Sequence, residues 1–253
     1  MTKQEMIMYQ VLGKLYEVDA PIVFKGALIT KLILMENSYA ATERQTRDID
    51  ANWIEKPPSM EELVEVVNNS LKSLGDDVYA VAKRPYGQGK SAGIWIISRE
   101  TGEQVFTMDI AIKPVIGSRV YHYGETSIRG VVPEAVLCDK ISVISSERIF
   151  RRAKDLLDVY ALSNCMVIRL ADIYSALKKA DRELGAFDAF TNRRADLEYA
   201  YNKMRGVTGK PGFNVLFSYL VDFLKPFMQR DMNDKVWIGG NASWCENVEK
   251  ESK

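Results

Sequence analysis

The chain has 253 residues, 47% hydrophobic and 27% charged, the make-up of a folded globular protein long enough for one large domain or two modest ones. Lys plus Arg and Asp plus Glu each total 34, so the formal net charge is zero, which excludes a wholesale nucleic-acid coat but leaves room for a local basic patch. A single histidine, His122, and three cysteines without metal-ligand spacing (Cys138, Cys165, Cys245) argue against zinc or haem chemistry and fit a reduced, cytoplasmic compartment.

The opening stretch MTKQEMIMYQVLGKLYEV has the spacing of an amphipathic helix, with Met6, Met8 and Tyr9 as core or interface residues, and lacks the features of a signal peptide. No apolar run approaches the ~18 residues of a membrane span, so no membrane partner is expected. PIVF (21–24) reads as a short buried strand ending at Lys25-Gly26, and ALITKLILME (27–36) as a helix buried on most sides. A polar loop, NSYAATERQTR, leads to DIDANWI (48–54), which alternates as a strand. PPSMEELVEVVNNSLKSLG is a helix opened by a capping box, Ser59 with Glu62, and ended by Gly75. Extended stretches follow at 77–84, 92–98 and 104–113, with a hairpin turn at Glu100-Thr101-Gly102 between the last two. From Pro133 the apolar spacing is helical, with ERIFRRAKDLLDVYALS read as one continuous helix, while the tail NASWCENVEKESK reads as loosely held. The pattern predicts an α+β fold, a mixed-sheet domain over 1–130 and a helical domain over 131–253.

On a strand, residues i and i+2 share a face, so Asp48 and Asp50 project side by side while Ile49 and Ala51 turn into the core. FTMDIAI places Asp109 on another strand, and pairing of the two strands would bring three carboxylates together. Two unit charges ~4 Å apart repel by roughly 4 kcal/mol at an effective dielectric of about 20, so such a cluster wants cations. All-oxygen ligands favour Mg²⁺ or Mn²⁺, the apparatus of phosphoryl or nucleotidyl transfer. The plain alternative is a pair of solvated residues at a strand end. Gly26, at a strand-to-helix bend, lets the backbone approach a ligand and aims the amides of 26–28 outward as an anion site; alternatively it serves only a tight turn.

FKGALITKL, RQTRDID and FTMDIAI, in that order, resemble the DNA-polymerase-β-like nucleotidyltransferases, and within them the AbiEii/AbiGii toxins of type IV toxin–antitoxin (abortive infection) systems. Lys25 and Gly26 match the family's strand–helix junction, and Arg44, Thr46, Asp48 and Asp50 match its acidic motif. CDKISVISSERIFRRAKDLLDVYALS matches a second family segment through Lys140, Arg148, Arg152, Lys154, Asp155 and Asp158. The likeness spans about residues 21–163. It implies a polymerase-β-like nucleotidyltransferase domain followed by a helical one, an NTP donor, metal on Asp48, Asp50 and Asp109, active-site roles for Lys140 and Asp155, and a cognate antitoxin partner. The family's second glycine is Ala27 here, which keeps its amide but loses the closest approach; Thr30, one turn on, is an alternative hydroxyl source.

The expected activity is therefore transfer of a nucleoside monophosphate to an acceptor hydroxyl, on RNA such as tRNA. Two rivals are a small-molecule nucleotidyltransferase acting on an antibiotic-type acceptor and a catalytically silent nucleotide- or partner-binding module. Within ERIFRRAKDLLDVYAL, Arg151 and Asp155 are read as an i, i+4 pair, and the segment is either a phosphate clamp with Lys140 or a salt-bridged surface. AKRPYGQGK, with Lys83, Arg84 and Lys90, is a second basic stretch. RRADLEYAYNKMR interleaves Tyr199 and Tyr201 with cations, either as an RNA-contacting face or as a helix with charged outer and aromatic inner sides.

Overall fold

Helical and extended apolar patterns alternate through the first half of the chain and give way to helical spacing in most of the second, and the architecture follows that change. The structure is a computed structural model that describes residues 3–39, 43–44, 46–56, 58–72, 77–85 and 91–247, without the side chains of 3, 43 and 44. Gly75, Lys90 and the last residues of the tail lie outside the described residues, as does the side chain of Arg44.

Helix α1 (Lys3–Glu17) leads to β1 (Ile22–Lys25), which passes without a loop into α2 (Gly26–Glu36). Strands β2 (Glu43–Arg44) and β3 (Asp48–Trp53) precede α3 (Met60–Lys72). Then come β4 (Val78–Arg84), β5 (Ala92–Ser98), β6 (Gln104–Ile112), β7 (Ser118–Tyr123) and β8 (Thr126–Val131). The second half runs α4 (Pro133–Ile144), a 3₁₀ turn (Glu147–Arg151), α5 (Lys154–Cys165), β9 (Val167–Arg169), α6 (Leu170–Lys179) and α7 (Asp188–Asn192). It continues through α8 (Arg194–Asn202), β10 (Val207–Thr208), α9 (Phe213–Gln229), β11 (Lys235–Ile238) and β12 (Ser243–Glu246). The chain divides into two compact units, one of Met1–Leu32 with Thr46–Val132, the other of Ile33–Gln45 with Pro133–Lys253.

The first unit is built on a seven-stranded mixed sheet in the order β4-β5-β6-β3-β1-β8-β7. β3 runs parallel to β6 and β1 parallel to β8, and the remaining neighbours are antiparallel. Ile94, Ile96, Phe106, Met108, Ile110, Ile49 and Ala51 are buried, as the alternation requires. Helix α1 contributes Met8, Leu12 and Leu15 to this core, and Met6 is exposed. Helix α3 buries Leu63, Val67 and Leu71, and its start is the expected capping box: Ser59 N–H donates to Glu62 Oε2 at 2.7 Å and Glu62 N–H to Ser59 Oγ at 3.1 Å. His122 is an exposed residue of β7.

The second unit is mainly helical, with α4 against α5 and α6, and α5 against α9. It departs from the sequence expectation in two places. The segment 147–165 is not one helix, because Arg152 leaves helical angles (φ −126°, ψ 35°) between the 3₁₀ turn and α5. No Gly or Pro marks that break, so apolar periodicity runs through it unaltered. The tail is not loose up to 246, because β12 pairs with β11, which pairs with β9. Fully buried Trp237 on β11 donates its indole N–H to Ser163 O at 2.8 Å and packs edge-on to Phe223, and Trp244 stacks on Phe223 from the other strand.

Candidate active site

Gly26 is the first residue of α2 and has φ +74°, a conformation L side chains rarely adopt. A Cβ at this position would stand 2.5 Å from Asp50 Oδ2 and 3.3 Å from Asp50 Cβ. The bend therefore lies directly against the acid, because β1 and β3 pair with Lys25 opposite Asp50. The first-turn amides of α2 have no partner within the helix, and they begin where that carboxylate sits.

Of the other residues expected here, Lys25 donates from Nζ to Asn52 Oδ1 at 2.7 Å on the same strand pair. Thr30 does not supply a cradle hydroxyl: it is 2% exposed, and its Oγ1 donates back to Gly26 O at 3.0 Å, serving the helix. Ala27 is half-buried in the first turn. Thr46 is buried, and among the described residues its Oγ1 has no hydrogen-bond partner. Arg44 belongs by its backbone to the second unit, where β2 pairs with β10.

The parallel register of β3 and β6 sets Asp50 opposite Asp109 and Asp48 opposite Thr107, so the three acids share one face. Asp48 and Asp50 are exposed. Arg84 Nη2 lies 2.9 Å from Asp109 Oδ1, and among the described residues no group of three His, Cys, Asp or Glu side chains is drawn together to hold a metal. Arg84 reaches this acid through a β-bulge. Ala82 pairs with Ile94, but Arg84 pairs with Gly93, and the extra residue turns Arg84 onto the Asp109 face. Sequence reasoning placed Arg84 only in a general basic stretch, because strict alternation assigns it to the opposite side. The donor set, carboxylate oxygens on adjacent strands beside a backbone bend, fits a hard divalent cation in chemistry, with Arg84 as the cation now beside Asp109.

In the second unit, Lys140 is 4% exposed, with Nζ 3.0 Å from Asp155 Oδ1 and 2.6 Å from Asp158 Oδ2. Asp155 and Asp158 thus share a helix face, three residues apart. The arginine that joins them is Arg152, with Nε 2.8 Å from Asp155 Oδ2, not Arg151 as expected; the break before α5 changes which side chain meets the acid. Arg152 Nη2 also donates to Asp155 Oδ1 at 3.3 Å, while among the described residues Asp155 Oδ2 accepts no hydrogen bond. Arg151, Arg152, Lys154, Asp155 and Lys203 line a cavity of ≈ 340 Å³ within this unit. Nearby on α8, Tyr201 is buried and its hydroxyl donates to Pro211 O, whereas Tyr199 is exposed under the Lys203 ammonium. Burial pushes the Cys138 and Cys165 thiols up to about 11, and Cys245 is exposed on β12.

The mixed sheet followed by a helical region has a fold similar to that of a solved nucleotidyltransferase toxin. The sequence agrees: the family described as Nucleotidyl transferase AbiEii toxin, Type IV TA system, matches residues 12–217. The chain belongs to this family of nucleotidyltransferase toxins. Among solved structures, JHP933 from Helicobacter pylori is 14% identical with a TM-score of 0.57, over 90% of this chain and 92% of that one. MenT4, a nucleotidyltransferase toxin from Mycobacterium tuberculosis, is 14% identical with a TM-score of 0.51, over 85% and 79%. At such identities the likeness is one of fold. No curated protein sequence matches. Among the described residues, no helix is long and apolar enough to cross a membrane.

Proposed function

We propose that the protein moves a nucleoside monophosphate from an NTP to a hydroxyl of RNA, with tRNA the first acceptor to test, and that its activity is held in check by a cognate antitoxin. The observation that supports this most is the contact between the Gly26 bend and Asp50, which sets an anion-binding helix start against the acidic pair. Asp48, Asp50 and Asp109 would hold Mg²⁺ or Mn²⁺, which supplies charge neutralisation on the phosphates and a more acidic attacking hydroxyl. The amides of Gly26 and Ala27 bind phosphate oxygens. Asp109 orients the acceptor hydroxyl in line with the α-phosphorus; the hydroxyl gives up its proton to solvent as the new O–P bond forms, the bond to the β-phosphate oxygen breaks, and pyrophosphate leaves. The family resemblance gives Lys140 a phosphate contact and Asp155 a site role. Lys140 now lies between two carboxylates, so a phosphate would replace one of them.

The cationic cavity lined by Arg151, Arg152, Lys154 and Lys203 favours a polyanionic acceptor over a polycationic antibiotic. The Arg84–Asp109 bridge supports a second reading, a silent nucleotide-binding module, because an internal cation already balances the third acid. Incubation with each labelled NTP, Mg²⁺ and total tRNA separates the two. Transfer is expected from the wild type and a drop of about 100-fold or more from Asp48→Ala or Asp50→Ala. Absence of transfer together with unchanged NTP binding by Asp48→Ala would favour the silent module.

A further inference from the structure

We infer that Trp95 is the platform on which a base of a single-stranded acceptor stacks, on the sheet face that carries the acids. The inference rests on the nucleotidyl-transfer reading above and adds the residue and the side from which the acceptor enters. Trp95 pairs with Thr107, and Thr107 pairs with Asp48, so all three side chains stand on one face. Two strand spacings, roughly 10 Å, separate the Asp48 and Trp95 columns.

Trp95 is 37% exposed although β5 is an interior strand of the sheet, whereas Trp53 and Trp237 are buried at 6% and 0%. It does not stand alone. Val81 opposite it and the Tyr79–Ile97 pair beside it are half-buried on the same face, and the Arg99 guanidinium lies 4.9 Å from the Tyr79 ring centre. At the other end, Gly93 holds the position between Arg84 and Asp109 without a side chain. The result is an aromatic and aliphatic floor with a guanidinium at each end, the make-up of sheets that bind single strands by base stacking and phosphate contact.

The strand order assigns the side. Gly26, which would cradle the donor's phosphates, adjoins Asp50 from β1, and Trp95 lies across β6 on the opposite flank, beyond Asp109. A base on Trp95 therefore belongs to the strand whose hydroxyl Asp109 orients, and not to the NTP.

Binding is measured without turnover, so failure here and failure of the transfer assay are distinguishable. A fluorescein-labelled short single-stranded RNA is titrated by anisotropy against wild type, Trp95→Ala and Trp95→Phe, and NTP binding is measured calorimetrically on the same proteins. Trp95→Ala is expected to weaken RNA binding about 5- to 100-fold, with NTP affinity unchanged and Trp95→Phe within a few-fold of wild type. A duplex of the same sequence, whose bases are already stacked, should not distinguish the variants. Equal RNA binding by Trp95→Ala and wild type, no RNA binding by wild type, or a matching loss of NTP affinity would each overturn the inference.

Discussion

At Gly26 two demands meet in one residue: a positive φ and no room for a Cβ beside Asp50. Gly26→Ala should therefore lower stability by about 1–3 kcal/mol and weaken NTP binding about tenfold or more, read by denaturant melts and calorimetry. The Lys140 site makes the opposite kind of demand, since its ammonium is the charge between two buried carboxylates. Lys140→Met leaves both acids without it and should cost about 3–5 kcal/mol, whereas Asp158→Asn, which keeps one ion pair, should cost less in the same melts. The Gly26–Asp48–Asp50 set was legible in the sequence because glycine at a strand–helix bend and Asp-x-Asp on a strand follow from local geometry. Arg84 on Asp109 was not, because a bulge changes which face a residue takes and leaves no mark on apolar period. Trp95 was hidden for a related reason, since its exposure depends on what covers the sheet.

Among elements, β4 is an edge strand, and Asn68 of α3 closes part of that edge. Its Nδ2 donates to Ala80 O at 3.0 Å and its Oδ1 accepts from Ala80 N–H at 2.8 Å, as a neighbouring strand would. Asn68→Ala opens those two backbone groups. Stability should fall by about 1–2 kcal/mol, and size-exclusion chromatography should show concentration-dependent self-association that the wild type lacks. The long elements were readable from their periodicity, and α3 down to its cap. The strands β9, β11 and β12 have three or four residues each, too few for a period of two to stand out, and their pairing joins 167–169 to 235–246 across the chain.

For the molecule as a whole, equal numbers of acidic and basic side chains leave local clusters, the exposed Asp48 and Asp50 on β3 in the first unit and Arg151, Arg152, Lys154 and Lys203 around the cavity of the second. Affinity for RNA should accordingly fall by about tenfold or more between 50 and 200 mM salt despite zero net charge, measured by anisotropy at fixed pH. Residues 33–45 leave the first unit and are counted with the second, where two of them, Glu43 and Arg44, supply the strand that pairs with Val207 and Thr208. A gene cut at the 132/133 boundary thus yields two incomplete products. The longer amino-terminal fragment keeps a stretch that belongs to its counterpart, and the carboxy-terminal one is born missing a piece of itself. Anyone hoping to obtain the helical half alone should graft that short excursion back onto it, and co-production of both fragments is the natural route to reconstitution.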